Sequence, residues 1–151
     1  MAALNSKFDV LRGWAPGDDA CVDQSLTPVT GTVFEAGDVV MLNGSGEATL
    51  GASAADVTPG TGLANQLYLV VEGNAIDFSG QFVNKVVCIR GKLTVQIDST
   101  KYTGTTSVGT PVKVVGGAFE SMLSTGLEQM VGHVFADNSL TNGTIVLEID
   151  L

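Results

Sequence analysis

Short apolar runs at alternate positions, broken by glycine turns, fill this chain from about residue 29 to Leu151. A period of two puts successive side chains on opposite faces of an extended strand, and it cannot line one face of a helix. In Lys92–Asp98 the alternation is complete. Leu93, Val95 and Ile97 face a core, while Lys92, Thr94, Gln96 and Asp98 face out. The closing run does the same, with Ile145, Leu147, Ile149 and Leu151 inward. Val39–Leu42, Leu67–Val71 and Val86–Ile89 are apolar at every position. Such strands lie centrally in a barrel or sandwich, or have one face covered by a partner.

Turn chemistry separates the runs. Ala36-Gly37-Asp38, Asn43-Gly44-Ser45-Gly46, Arg90-Gly91-Lys92, Val115-Gly116-Gly117-Ala118 and Asn142-Gly143 suit left-handed backbone. The prolines Pro16, Pro28, Pro59 and Pro111 fall in loops or at strand starts. Residues 51 to 65 and 99 to 110 are expected to be long loops, and Glu120–Gln129 is the one short helix candidate. Gly37–Gly44 and Gly109–Gly116 echo each other faintly, as two similar hairpins in one domain would. Residues 1–28 read as an irregular N-terminal arm, pinned at Phe8, Val10 and Trp14, ahead of a domain over 29–151. The fold class is all-β, and a compact barrel is expected.

Composition excludes several functions. With 151 residues, one domain with its own core is expected. Net charge is −9, from seven basic and sixteen acidic residues, which argues against nucleic acid. Lys85, Arg90 and Lys92 are too dispersed to make a basic patch and are read as solvated strand positions. No run reaches the ~18 apolar residues of a spanning helix. The start carries no apolar segment ahead of a cleavage site, so synthesis in a cytoplasm, with Cys21 and Cys88 reduced, is the expectation. Asn43-Gly44-Ser45 and Asn142-Gly143-Thr144 fit the glycosylation pattern but read as turns. Charged residues are only 15% of the chain. An exterior partly covered by partners and one rich in Thr, Ser and Gly account for this equally well.

Residue types for catalysis are sparse. His133, the one histidine, has no carboxylate or nucleophile near it in the chain and is read as a partly buried structural residue. Cys88 lies in an apolar strand and is expected to pack as a small hydrophobe. Asp18, Asp19 and Asp23 lack the spacing of a calcium loop, and one histidine with two distant cysteines cannot fill a structural zinc site. No enzyme activity, cofactor or metal is expected. Trp14, in a Gly/Pro-flanked segment, is the residue most suited to anchoring on a partner, with folding back over its own domain as the alternative.

The stretch Val108–Phe119, then Val131-Gly132-His133-Val134, then Gly143–Ile149, resembles the head-decoration or capsid cement proteins of tailed bacteriophages, and Ala36–Val40 adds to the match. The resemblance spans residues 29 to 151 as a pattern of strands and glycines. It implies a compact β-barrel or β-tulip domain that docks on the outside of a phage head and cements neighbouring major capsid subunits. It implies trimers, with an N-terminal arm that orders on docking, and it carries no active site. On this reading Phe8, Val10, Leu11 and Trp14 dock on the capsid, and the protein belongs to the virion exterior after synthesis in the bacterial host. The second reading is a carbohydrate-binding or adhesin-like β-module, which would need exposed aromatics in a groove; Trp14, Tyr68 and Tyr102 are scattered along the chain.

Overall fold

The computed structural model describes residues 7–13, 22–51, 67–74, 85–122 and 130–151. Among these the chain is almost entirely β. The strands in order are β1 (Asp9–Arg12), β2 (Val22–Leu26), β3 (Val39–Leu42), β4 (Ala48–Leu50), β5 (Leu67–Glu72), β6 (Val86–Arg90), β7 (Lys92–Asp98), β8 (Tyr102–Thr103), β9 (Pro111–Val115), β10 (Ala118–Ser121), β11 (Gly132–Asn138) and β12 (Thr144–Asp150). A single 3₁₀ turn, η1 (Ser99–Lys101), lies between β7 and β8, and Asp98 caps it by accepting from the Thr100 N–H.

The strands form two open sheets. One has seven strands in the order β1-β7-β12-β11-β9-β10-β8, the other five in the order β2-β6-β5-β3-β4. The all-β class is as expected, but no closed barrel forms. Closure needs the two outermost strands of one sheet to pair. Here the chain leaves one sheet for the other at a corner, Gly91, whose φ of 137° lies where an L-residue is strained. β6 and β7 are consecutive in sequence yet lie in different sheets.

The two inner faces share one interior. Val39, Leu67, Leu69 and Ile89 from the smaller sheet cluster with Val95, Ile97, Val112, Phe119, Val134, Leu147 and Ile149 from the larger. The inward residues foreseen in β7 and β12 are in the core, but the alternation of exposure is incomplete, because Thr94, Thr144 and Val146 on the intervening positions are buried as well. The smaller sheet is apolar on its other face too, where Val40, Tyr68, Val70, Val86 and Cys88 cluster with Leu26 and Phe34. Its central strands therefore read as continuous apolar runs because both faces are buried. Phe34 is held there by its N–H, which donates to Asn74 Oδ1 at 2.7 Å. The echoing segments 37–44 and 109–116 carry β3 and β9, one in each sheet.

Several expected loops and arms are regular structure. β1 and β2, both within residues 1–28, pair with β7 and β6 and form an edge strand of each sheet. The expected loop 99–110 contains η1 and β8, since buried Tyr102 pairs with Phe119 and its hydroxyl donates to the Thr105 carbonyl at 2.6 Å. Glu120 and Ser121 belong to β10 and not to a helix, because they pair with Lys113 and Val112. The rest of that helix candidate from residue 123, most of the 51–65 loop, Trp14, Asp18, Asp19 and Cys21 lie outside the described residues.

Polar contacts fasten the sheets at their margin. The hairpin tip at Gly117 donates to the Gly51 carbonyl at 2.8 Å and accepts from the Val39 N–H at 2.9 Å. Lys101 of η1 reaches Asp38, just ahead of β3, at 2.7 Å and Glu35 at 3.3 Å, with its side chain only 16% exposed. Burial pulls the Lys101 pKa down, but the hydrogen bond and charge of Asp38, then those of Glu35, outweigh it and hold the group above its ordinary 10.5. A folded-state pKa above the unfolded one means that this stabilisation is complete below pH 10.5 and fades as pH rises through the raised value. Lys101→Met is expected to lower stability at neutral pH by about 1–3 kcal/mol, the cost of depriving the Asp38 carboxylate of its partner. It should also flatten the alkaline loss of stability in urea titrations. An alkaline limb as steep as that of the parent would contradict the assignment.

Candidate docking surface

The seven-stranded sheet carries two β-bulges, and each turns an apolar residue outward. On β1, Val10 lies opposite Val95 and Arg12 opposite Thr94, so Leu11 is the extra residue. On β11, Val134 lies opposite Leu147 and Ala136 opposite Val146, which leaves Phe135 unpaired. A bulge breaks the alternation of faces and re-aims one side chain. Leu11 is 47% exposed and Phe135 is 45% exposed. A third bulge, at Val71 of the smaller sheet, sends its residue against the main core instead.

Between the two bulged strands stand β7 and β12, and their polar positions line up across the sheet. Arg12 faces Thr94, Thr94 faces Glu148, and Glu148 faces His133 in directly paired positions. Lys92 faces Asp150 one step along. His133 Nε2 lies 3.1 Å from Glu148 Oε2. These side chains surround a hollow of about 410 Å³ that is also lined by Leu93, Val131 and Ile149. Lys92 and Asp150 carry opposite charges across the β7–β12 pair, a favourable arrangement for cross-strand neighbours. Gly132 lets β11 approach β12 here, since a Cβ at that position would run into the Glu148 carbonyl oxygen.

The expected docking residues separate. Phe8 and Val10 are half-buried and pack against the main core. Leu11 is presented outward at the sheet edge, and Trp14 lies outside the described residues. His133 departs from its expected role, because its side chain is 46% exposed and paired with a carboxylate. Chain order hides that partner: Glu148 is fifteen residues away and comes near only because β11 and β12 pair. Cys88 is fully buried in the second cluster, as expected. Tyr68 and Tyr102, two of the three scattered aromatics a sugar groove would draw on, are buried. Outward-facing Phe135 and Arg12 were not foreseen, and the bulge at Phe135 depends on the register of the neighbouring strand.

Chemically, the surface offers two fixed apolar knobs flanking a hollow of mixed charge. Arg12 and Lys92 can meet acidic groups of a partner, while Glu148 and Asp150 can meet basic ones. Among the described residues no group of three or more His, Cys, Asp or Glu side chains could hold a metal ion. No protein family, curated protein or solved structure matches the chain.

An exposed side-chain pair contributes little, so His133→Ala should change the unfolding free energy by less than about 1 kcal/mol. Gly132→Ala, one position away, should cost about 1–3 kcal/mol because the added methyl has no room. Denaturant melts of both variants check this, and a His133→Ala loss as large as that of Gly132→Ala would show the histidine to be structural.

Proposed function

We propose that this protein is a structural virion component that docks on the exterior of a tailed-phage capsid and cements neighbouring major capsid subunits. The observation that carries the proposal is the pair of bulges that hold Leu11 and Phe135 outward from one sheet. Bulges are a means of aiming a side chain, and exposed apolar side chains in fixed positions suit adhesion to a partner surface. The phage-like segments support the same reading. Pro111–Val115, Gly132–Asn138 and Thr144–Asp150 are the adjacent strands β9, β11 and β12 of the sheet that bears both bulges.

Docking of this kind needs no chemical step. The open edge at β1 can accept a strand from a partner through main-chain hydrogen bonds, with little demand on the partner's sequence. Assembly as a homotrimer multiplies a weak single contact through effective concentration. A net charge of −9 keeps a crowded particle exterior soluble.

The test uses shells assembled from the major capsid protein encoded in the same genome. The full chain should sediment with expanded shells, saturate at a fixed ratio and raise the temperature at which the shells fall apart. Leu11→Asp should weaken this binding while changing the stability of the free protein by no more than about 0.5 kcal/mol. Failure of the parent protein to bind shells would end the proposal. Unchanged binding by Leu11→Asp would move the contact away from the β1 edge.

A further inference from the structure

Two asparagines in this chain precede a glycine, Asn43 and Asn142. In such a step the following backbone nitrogen can attack the side-chain carboxamide, because glycine has no Cβ to obstruct the approach. The two sites differ in how the carboxamide is held. Asn43 Oδ1 accepts from the Ser45 and Glu47 N–H groups, each at 2.9 Å, and Asn43 Nδ2 donates to Glu47 Oε1 at 3.3 Å. Those three bonds fix the side chain over its own turn.

Asn142 is exposed, and among the described residues its carboxamide has no hydrogen-bond partner. Only its backbone is held, with the N–H donating to the Asn138 carbonyl at 2.8 Å. Gly143 follows with φ at 65°. The rest of the turn is tied down around this pair. Asp137 accepts from the Ser139 N–H and hydroxyl, and the Thr141 hydroxyl donates to the Asn138 carbonyl. Lys7 stands against the same turn, since a Cβ on Gly143 would lie 2.8 Å from its Nζ.

We propose that Asn142 is a site of spontaneous deamidation and isomerisation, and that Asn43 is protected. The Gly143 nitrogen gives its proton to solvent base and bonds to Asn142 Cγ. The Cγ–Nδ2 bond breaks as the departing nitrogen takes a proton from solvent, ammonia leaves, and a five-membered succinimide results. Water then adds to one of the two ring carbonyls and opens the ring. One opening leaves aspartate. The other leaves isoaspartate, with the main chain routed through the side chain. Either product adds a carboxylate to the turn that Lys7 stands against. Isoaspartate also lengthens the backbone of the β11–β12 turn, where the Gly143 carbonyl accepts from the Ser99 N–H at 2.9 Å.

The full-length protein, kept folded in mildly alkaline buffer and sampled over days, tests this by peptide mapping with electron-transfer fragmentation, which separates aspartate from isoaspartate. Both products should accumulate at position 142, about tenfold or more faster than at position 43, a factor equivalent to about 1.4 kcal/mol. In denaturant the two rates should converge, because each asparagine is followed by glycine. The Asn142→Gln variant should lose the modification in this turn. Equal rates at the two sites in the folded protein would overturn the proposal. So would an Asn142 that stays intact when folded but converts when unfolded.

Discussion

Val39, Leu69 and Ile89 of one sheet share a single interior with Val95, Ile97, Leu147 and Ile149 of the other, and the remaining structure is arranged around that burial. Removing apolar surface from water is the dominant favourable term for a chain with so few charges. It sets the two sheets face to face, and the polar features follow at the margins. Lys101 can lie across the seam only because η1 and the Glu35–Asp38 turn are brought to the same edge of the packed sheets. The tip of the β9–β10 hairpin finds backbone partners in β3 and at Gly51 for the same reason.

The smaller sheet packs an apolar cluster on each face, whereas the larger packs its inner face, buries Thr94 and Val146 between those positions and turns Leu11 and Phe135 outward. The bulged residues Leu11 and Phe135 both belong to the seven-stranded sheet. An open edge such as β1 is a liability for a free protein, and proteins blunt such edges with charge, bulges and short strands. β1 is short, bulged and flanked by Asp9 and Arg12. These devices discourage indiscriminate pairing along the exposed edge.

Much of the fold was legible in the chain. The alternation in Lys92–Asp98 and Thr144–Leu151 announced which side chains face the core, and the uninterrupted apolar runs around Val40, Leu69 and Cys88 announced strands buried on both faces. The candidate docking surface was much less legible. Leu11 was singled out, but for its place in an arm and not for a bulge. Glu148 read only as the polar half of an alternating strand, and nothing near it pointed to His133. Tyr102 read as loop because its partner Phe119 lies far along the chain in a short parallel ladder, and Ser121 read as helix because its strand is defined only by pairing with Val112 across the β9–β10 hairpin.

Local sequence by itself determined the strand character, the inward and outward sets and the glycine corners, because each depends on a residue and its immediate neighbours. Only the tertiary structure decided how many sheets form, which strands lie side by side, where a register slips and therefore which side chains meet across the surface. Those are properties of pairs of strands. A slip of one residue in a partner reverses the face of everything beyond it, and no single strand records that slip in its own composition.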